Sequence, residues 1–189
     1  MTDPAASALR NGRVKLLLVA AVFLVPFLVA LALTLAGWQP GVKGNGLPIL
    51  PQRNFAQEQL PIRMANGGDW AWRDVKPRLT LIALPGPDCA TRCYAALTAL
   101  AKARVMLNQN QDRLRLLYVG TPPGGEEGKG MANYWRVGTD VDDRLGAWRP
   151  QAADSLGAVL VESDGTALAS YPAGFDPAGV LRDLRKVIR

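Results

Sequence analysis

The chain has 189 residues and a net charge of +6, with two cysteines and no histidine. The lack of histidine excludes a Ser-His-Asp triad, a Cys-His protease pair, a His-bearing zinc site and histidine general-base catalysis. Two cysteines are too few for a four-thiolate zinc centre or an iron–sulfur cluster within one chain, so they allow one disulfide or one two-sulfur metal site.

Residues 16–36 form an uncharged apolar run, LLLVAAVFLVPFLVALALTLA, which is long enough to cross a bilayer as an α-helix. Arg10, Arg13 and Lys15 precede it, so the positive-inside rule predicts a cytoplasmic N-terminus and an exported remainder. A cleavable signal peptide is the alternative, although the run exceeds the roughly 7–15 residues of a signal h-region. We predict a cytoplasmic segment over 1–15 and a transmembrane signal-anchor helix over 16–37.

The sequence over residues 38–84 predicts a tether followed by the first strands of the domain. Residues 38–61 are rich in Pro, Gly and Asn and lack a hydrophobic period, which predicts a tether to one domain over 62–189. Trp70 and Trp72 alternate with a small residue as in an edge or hairpin strand. Residues 79–84 form a nearly continuous apolar run, which predicts a buried central strand.

The two cysteines open a predicted helix over about 89–107, with Asp88 as a candidate N-cap. Cys89 and Cys93 are one turn apart, so both sulfurs share one face near the helix N-terminus. That terminus and Arg92 favour a thiolate on Cys89, whereas Asp88 opposes it. We therefore expect Cys89 to be the attacking thiol and Cys93 the resolving thiol.

The remaining sequence predicts alternating elements: a strand over 113–119, a flexible loop over 121–130, a short helix over 140–148, a hairpin of strands 158–162 and 166–171, and a terminal helix over 178–188. Asp176 and Pro177 are the cap and first residue of the terminal helix. A strand, a helix and a second strand imply a parallel crossover, so the sheet should be mixed. The order, with the cysteines after the first central strand, predicts an α/β thioredoxin-like sheet flanked by helices. Pro150 is a candidate for a cis-proline facing the dithiol.

Residues 45–189 resemble the Sco/SenC group of thioredoxin-like proteins. The resemblance depends on Cys89-Ala90-Thr91-Arg92-Cys93, on the hairpin sequence over 160–165 and on the terminal helix from Asp176. It implies a protein of the bacterial inner membrane, with its C-terminal domain in the periplasm, that acts in cytochrome c oxidase assembly. The implied partners are oxidase subunits or their assembly factors. Copper-binding members supply a histidine shortly before the hairpin as third ligand, whereas the matching stretch of this chain has Asp154 with its neighbours Ala153 and Ser155, which is a departure from that pattern.

Three uses of the cysteine pair remain open. The pair can exchange thiols as a thiol–disulfide oxidoreductase, or its two thiolates can bind Cu(I), with Met106 or Met131 as conceivable third ligands. It can also be a static disulfide in a non-catalytic assembly scaffold. No cofactor other than Cu(I) is expected, and basic residues spread without a long block argue against a nucleic-acid partner.

Overall fold

The computed structural model describes residues 4–35 and 44–188, in two units that divide after Lys43. The described part of the first unit is one helix, α1 (Pro4–Leu35), which contains Pro26. Its segment Leu18–Leu35 is long and apolar enough to cross a membrane, and its large side chains are exposed, as Phe23 shows at 76%. The predicted end of this span, residues 36 and 37, lies outside the described residues.

The second unit is built on a seven-stranded mixed sheet in the order β1-β7-β6-β3-β4-β5-β2. Its strands are β1 (Leu47–Pro48), β2 (Ile62–Met64), β3 (Leu79–Pro85), β4 (Leu114–Val119), β5 (Arg136–Asp140), β6 (Leu156–Val161) and β7 (Ala167–Tyr171). Its helices are α2 (Thr91–Val105), α3 (Gly125–Ala132) and α4 (Pro177–Val187). β3 pairs in parallel with β4 and antiparallel with β6, which confirms the predicted mixed sheet.

The central strand β3 is buried along its whole length because the sheet is covered on both faces. Leu81 and Ala83 belong to the core that includes residues of α2 and α4, whereas Ile82 and Leu84 belong to the core on the other face. Alternate side chains of one strand thus enter two different cores. This is why the sequence of β3 shows an unbroken apolar run and no alternation.

The segment predicted as a tether is part of the folded unit from Gly44 onward. β1 pairs antiparallel with β7, and Ile49, Phe55 and Leu60 are buried in the core that also contains Trp70 and Trp72. Single large apolar side chains cover this face of the sheet without a periodic pattern. The sequence therefore gives no periodic signal for this layer.

The prediction of a strand at Trp70 and Trp72 is wrong. The strand in this region is β2, which pairs with β5. Asp69 forms an isolated bridge with Arg63 of β2, and the Trp70 N–H donates to the Ile62 carbonyl at 2.9 Å, but no strand runs through the two tryptophans. Both tryptophans are 6% exposed, and the Trp72 indole N–H donates to the Leu60 carbonyl at 2.6 Å. Core packing, not strand pairing, therefore explains the two aromatic residues.

Two predictions between β4 and β6 are also wrong. The predicted loop over 121–130 contains most of helix α3. The glycines of this helix have low helix propensity, so the sequence does not predict it. The predicted helix over 140–148 is instead the end of β5, a turn and a short 3₁₀ helix at Gly146–Trp148. Leu145 is buried but Val141 is exposed, so the two do not form one apolar helix face.

The predicted hairpin and terminal helix agree with the structure. β6 and β7 form the predicted antiparallel hairpin, and α4 begins after Asp176, whose carboxylate accepts the Ala178 N–H at 2.9 Å. Pro177 occupies the first helical position. The cysteine-bearing helix α2 is shorter than predicted, because it begins at Thr91 and ends at Val105.

Candidate functional site

Cys89 and Cys93 are joined by a disulfide, with their Cα atoms 5.1 Å apart. Cys89 lies in the segment between the end of β3 and α2, and Cys93 lies in the first turn of α2. Cys89 is half-buried, whereas Cys93 is 1% exposed and packs into the core beside α2. Cys89 is therefore the more accessible of the two cysteines.

An open groove of about 280 Å³ lies beside Cys89, lined by residues of three segments: Pro85, Gly86, Pro87, Gly120, Thr121, Arg149, Pro150 and Gln151. The Arg149 guanidinium donates to the carbonyls of Pro85 and Val119, at 3.3 Å each, and so joins the ends of β3 and β4. Pro150 lines this groove, but its peptide bond is trans, since Leu50–Pro51 is the only cis bond in the described ranges. The prediction of a cis-proline at Pro150 is wrong.

The cap of the cysteine-bearing helix is supplied by Asp154, from the segment before β6. Its Oδ1 accepts the backbone N–H groups of Ala90 at 3.0 Å and Cys93 at 2.9 Å, and its Oδ2 accepts that of Arg92 at 3.0 Å. The prediction of Asp88 as N-cap is wrong, because Ala90 occupies that position and has no side-chain cap. Asp88 contributes its carbonyl, which accepts the Asp154 N–H at 2.7 Å.

This cap was missed by the sequence analysis because capping rules search within a few residues of the helix start. Asp154 lies 61 residues after Cys93, so no local pattern relates the two. The only sequence signal was its alignment with the copper-ligand histidine of the Sco/SenC group. That alignment marks the position without indicating its use.

The hydrogen bonds hold the pKa of Asp154 below its usual range, chiefly those donated by the Cys93 and Arg92 backbone N–H groups. Asp154 is therefore a carboxylate at neutral pH. The Arg92 side chain is 80% exposed and its Nε lies 3.4 Å from Oδ2 of Asp154. The guanidinium predicted to favour a thiolate on Cys89 thus pairs with the capping carboxylate.

The donor atoms near the cysteines do not form a three-coordinate Cu(I) site of the Cys₂His kind. Asp154 offers a hard carboxylate already engaged by three N–H groups, whereas Cu(I) prefers soft donors. Met106 follows the far end of α2, which is about 20 Å long, and Met131 is buried in the core. Among the side chains that the structure describes, no three His, Cys, Asp or Glu cluster as metal ligands. The two cysteine sulfurs are the soft donors that this site offers to copper as a cargo.

Comparisons with known proteins agree with this architecture. A family model described as transmembrane-like, thioredoxin-like, C-terminal domain matches residues 80–189. A search among curated proteins finds no match.

Solved structures similar to this chain include apo Sco1 from Thermus thermophilus, with 14% identity over 77% of this chain and 97% of that one, and a TM-score of 0.53. The bacterioferritin comigratory protein of Xanthomonas campestris shows 13% identity over the same shares of the two chains and a TM-score of 0.50. A SCO1/SenC family lipoprotein from Bacillus anthracis shows 13% identity over 68% of this chain and 92% of that one, with a TM-score of 0.47.

The family match and the likenesses to apo Sco1 and the bacterioferritin comigratory protein confirm the predicted thioredoxin-like fold, and a Sco protein is among the neighbours that share it. The family match covers more than half of the 189 residues, including both cysteines, α2 and Asp154. The chain therefore belongs to the family of transmembrane-like, thioredoxin-like C-terminal domains.

Proposed function

We propose that this protein is a membrane-anchored thiol–disulfide factor that works through the Cys89–Cys93 couple. The observation that carries the proposal is the unequal exposure of one disulfide, with Cys89 half-buried beside an open groove and Cys93 buried. A structural disulfide needs no approach route, whereas exchange requires one sulfur that a partner can reach. The groove provides room for a partner chain at that sulfur.

The exchange step follows from this asymmetry. A partner thiolate attacks the Cys89 sulfur, a mixed disulfide forms between the partner and Cys89, and the Cys93 sulfur leaves as a thiolate. A second partner thiol then attacks the mixed disulfide and releases Cys89. Two electrons and two protons pass from the partner dithiol to the Cys89–Cys93 pair, and the partner becomes a disulfide. In the opposite direction, Cys89 attacks a partner disulfide and Cys93 resolves the intermediate.

The proposed setting is the bacterial inner membrane, with the N-terminus in the cytoplasm and the thioredoxin-like domain in the periplasm. Arg10, Arg13 and Lys15 before the apolar segment Leu18–Leu35 support this orientation. An exported domain also suits a disulfide, which reducing cytosolic conditions would open. Protease added to spheroplasts should digest the C-terminal domain, and protection of that domain would refute the orientation.

The proposed task is the assembly of cytochrome c oxidase, where the cysteines of its copper centre must be kept in the correct redox state. Support comes from the Cys-x-x-x-Cys motif and the hairpin sequence shared with the Sco/SenC group. The partners would be the copper-bearing oxidase subunit or its assembly factors. Capture of such a protein as a mixed disulfide by Cys93→Ser, but not by Cys89→Ser, is the expected result in cells.

The reduction potential of the full-length protein in detergent tests the redox step directly. We expect a value between about −120 and −270 mV, the range of exchange proteins from DsbA to thioredoxin. A value below about −300 mV would identify a permanent bridge and leave a non-catalytic assembly scaffold.

A Cu(I) competition assay on the reduced protein tests the carrier function. Because this chain has no histidine and Asp154 offers only a hard carboxylate beside the cysteines, we expect weaker retention than a Cys₂His site provides. Tight retention of one equivalent that Cys89→Ser abolishes would favour copper delivery over thiol exchange.

A further inference from the structure

We propose that Asp154 is a positioning residue that withholds the N-terminus of α2 from the cysteine sulfurs and so makes the Cys89–Cys93 couple more reducing. This inference rests on the proposed function only in taking the disulfide to be reducible. It assigns a role to the position at which this chain departs from the Sco/SenC pattern.

The Asp154 carboxylate occupies most of the N-terminus of α2. The backbone N–H groups at the start of an α-helix lack intrahelical partners and stabilise a nearby thiolate. In this chain, one carboxylate accepts three of them, from Ala90, Arg92 and Cys93, at 2.9 to 3.0 Å. Three of the four N–H groups at the start of α2, from the N-cap Ala90 to Cys93, are therefore already occupied.

Backbone hydrogen bonds hold the segment that carries Asp154. The Asp154 N–H donates to the Asp88 carbonyl at 2.7 Å, and the Gly86 N–H donates to the Ser155 carbonyl at 2.9 Å. The segment before β6 is thus bonded on both sides of the capping residue to the segment that carries Cys89. The backbone at Asp154 therefore cannot move away from the start of α2 without breaking these bonds.

The Asp154 carboxylate also acts electrostatically on the reduced cysteines. Reduction of the disulfide takes two electrons and two protons from a donor dithiol, and it yields sulfurs that ionise in part. A fixed carboxylate beside the helix N-terminus offsets the favourable helix dipole and repels a thiolate. The reduced form loses stabilisation that an uncapped helix would give it, and destabilising the reduced form lowers the reduction potential.

The matched comparison is between Asp154→Asn and Asp176→Asn in the full-length protein. Asp176 also caps a helix, accepting the Ala178 N–H at 2.9 Å, and it also pairs with an arginine, Arg182, at 3.2 Å. It caps α4 rather than the cysteine-bearing helix α2. The two variants therefore each remove a capping carboxylate, which accepts three backbone N–H groups at α2 and one at α4.

The measurement is the equilibrium between the disulfide and the dithiol in thiol buffers, with dithiothreitol as the reference if glutathione proves too weak. We expect Asp154→Asn to shift the equilibrium about tenfold toward the reduced form, which corresponds to about 30 mV for two electrons. Asp176→Asn should leave it unchanged. Equal equilibria in wild type and Asp154→Asn, or equal shifts in both variants, would overturn the inference.

A second readout separates this role from simple helix capping. The alkylation rate of the reduced protein at pH 7 should rise several-fold in Asp154→Asn, because more of Cys89 is thiolate. If Asp154→Asn unfolds, Asp154→Ser keeps a short uncharged cap and should give the same shift. An unchanged rate in the folded variant would leave Asp154 as a structural cap only. A very low wild-type potential would refute the proposed function, yet the difference between variants would still decide this inference.

Discussion

Asn45 and Asp183 are joined by two hydrogen bonds although 138 residues separate them: the Asn45 backbone N–H donates to Oδ2 at 2.7 Å, and its side-chain amide donates to Oδ1 at 3.1 Å. The same carboxylate accepts the Gly46 N–H at 3.2 Å and the Tyr171 hydroxyl at 3.3 Å. Asp183 is only 8% exposed. One buried side chain of α4 therefore connects the start of the folded unit to β7.

We expect Asp183→Asn to lower the free energy of unfolding by about 1–3 kcal/mol, because an amide nitrogen cannot accept the hydrogen bonds that one carboxylate oxygen receives. Urea unfolding at pH 7 measures this loss. Asp142→Asn is the control, since Asp142 is exposed on a turn. Equal stability of the two variants would show that the Asp183 network contributes nothing.

The ionisation of Asp183 makes the free energy of unfolding depend on pH. Burial raises the pKa of Asp183, but the hydrogen bonds from Asn45 and Gly46 outweigh this effect and leave the pKa below its ordinary value. A carboxyl with a depressed folded pKa stabilises the protein fully above its unfolded pKa of about 3.9, and loses this effect as pH falls through the folded pKa. The stability gap between wild type and Asp183→Asn should thus be constant from pH 7 to 5 and narrow below about pH 4. A gap that widens on acidification would contradict this sign.

The sequence predicted the elements whose pattern is continuous and local. β3 has an unbroken apolar run, and α4 has a cap, a proline and a regular apolar spacing, so both were found. β5 was missed because it has Gly138 at its centre and the charged Arg136 and Asp140 at its ends, and so shows no apolar alternation. Its pairing with β4 and β2, rather than its own composition, makes it a strand.

The candidate site was only partly predictable for a related reason. The spacing of Cys89 and Cys93 indicated a dithiol at a helix start, and the disulfide confirms that the two sulfurs meet. The role of Asp154 depends on how the segment before β6 packs against the segment after β3. Such contacts between distant segments follow from the tertiary fold, so a local search selected Asp88 instead.

Arg115 offers a test of a half-buried polar cluster at the opposite end of β4 from the disulfide. Its guanidinium donates to Thr80 Oγ1 at 2.8 Å and the Ala71 carbonyl at 3.3 Å, lies 3.4 Å from Asp74, and stacks 4.5 Å from the Trp70 ring centre. We expect Arg115→Lys to lower the free energy of unfolding by about 1–3 kcal/mol, because one ammonium cannot serve these partners together.

Arg136→Lys is the matched control for Arg115→Lys. Arg136 is exposed and lies 5.9 Å from the same Trp70 ring, so its replacement should change stability little. Chemical denaturation followed by tryptophan fluorescence measures both variants. Comparable losses in the two would indicate that charge alone, and not the planar fork of Arg115, stabilises the cluster.

Gly86 tests the contact between the segment that carries Cys89 and the segment that carries Asp154. A Cβ added at Gly86 would overlap the Ala152 carbonyl and come within 2.8 Å of Ser155 Oγ. The carbonyl belongs to the backbone and cannot rotate away, so Gly86→Ala must push the two segments apart. We expect a loss of about 1–3 kcal/mol in unfolding free energy, typical of overpacking.

The same displacement should weaken the Asp154 cap on α2. Amide hydrogen exchange at Arg92 and Cys93, whose N–H groups bond to Asp154, should therefore accelerate in Gly86→Ala. Gly68→Ala is the control, because a Cβ there meets no atom within 4 Å. If Gly86→Ala were as stable as Gly68→Ala and protected these two amides as well as the wild type does, the close contact between the segments would not hold the cap in place.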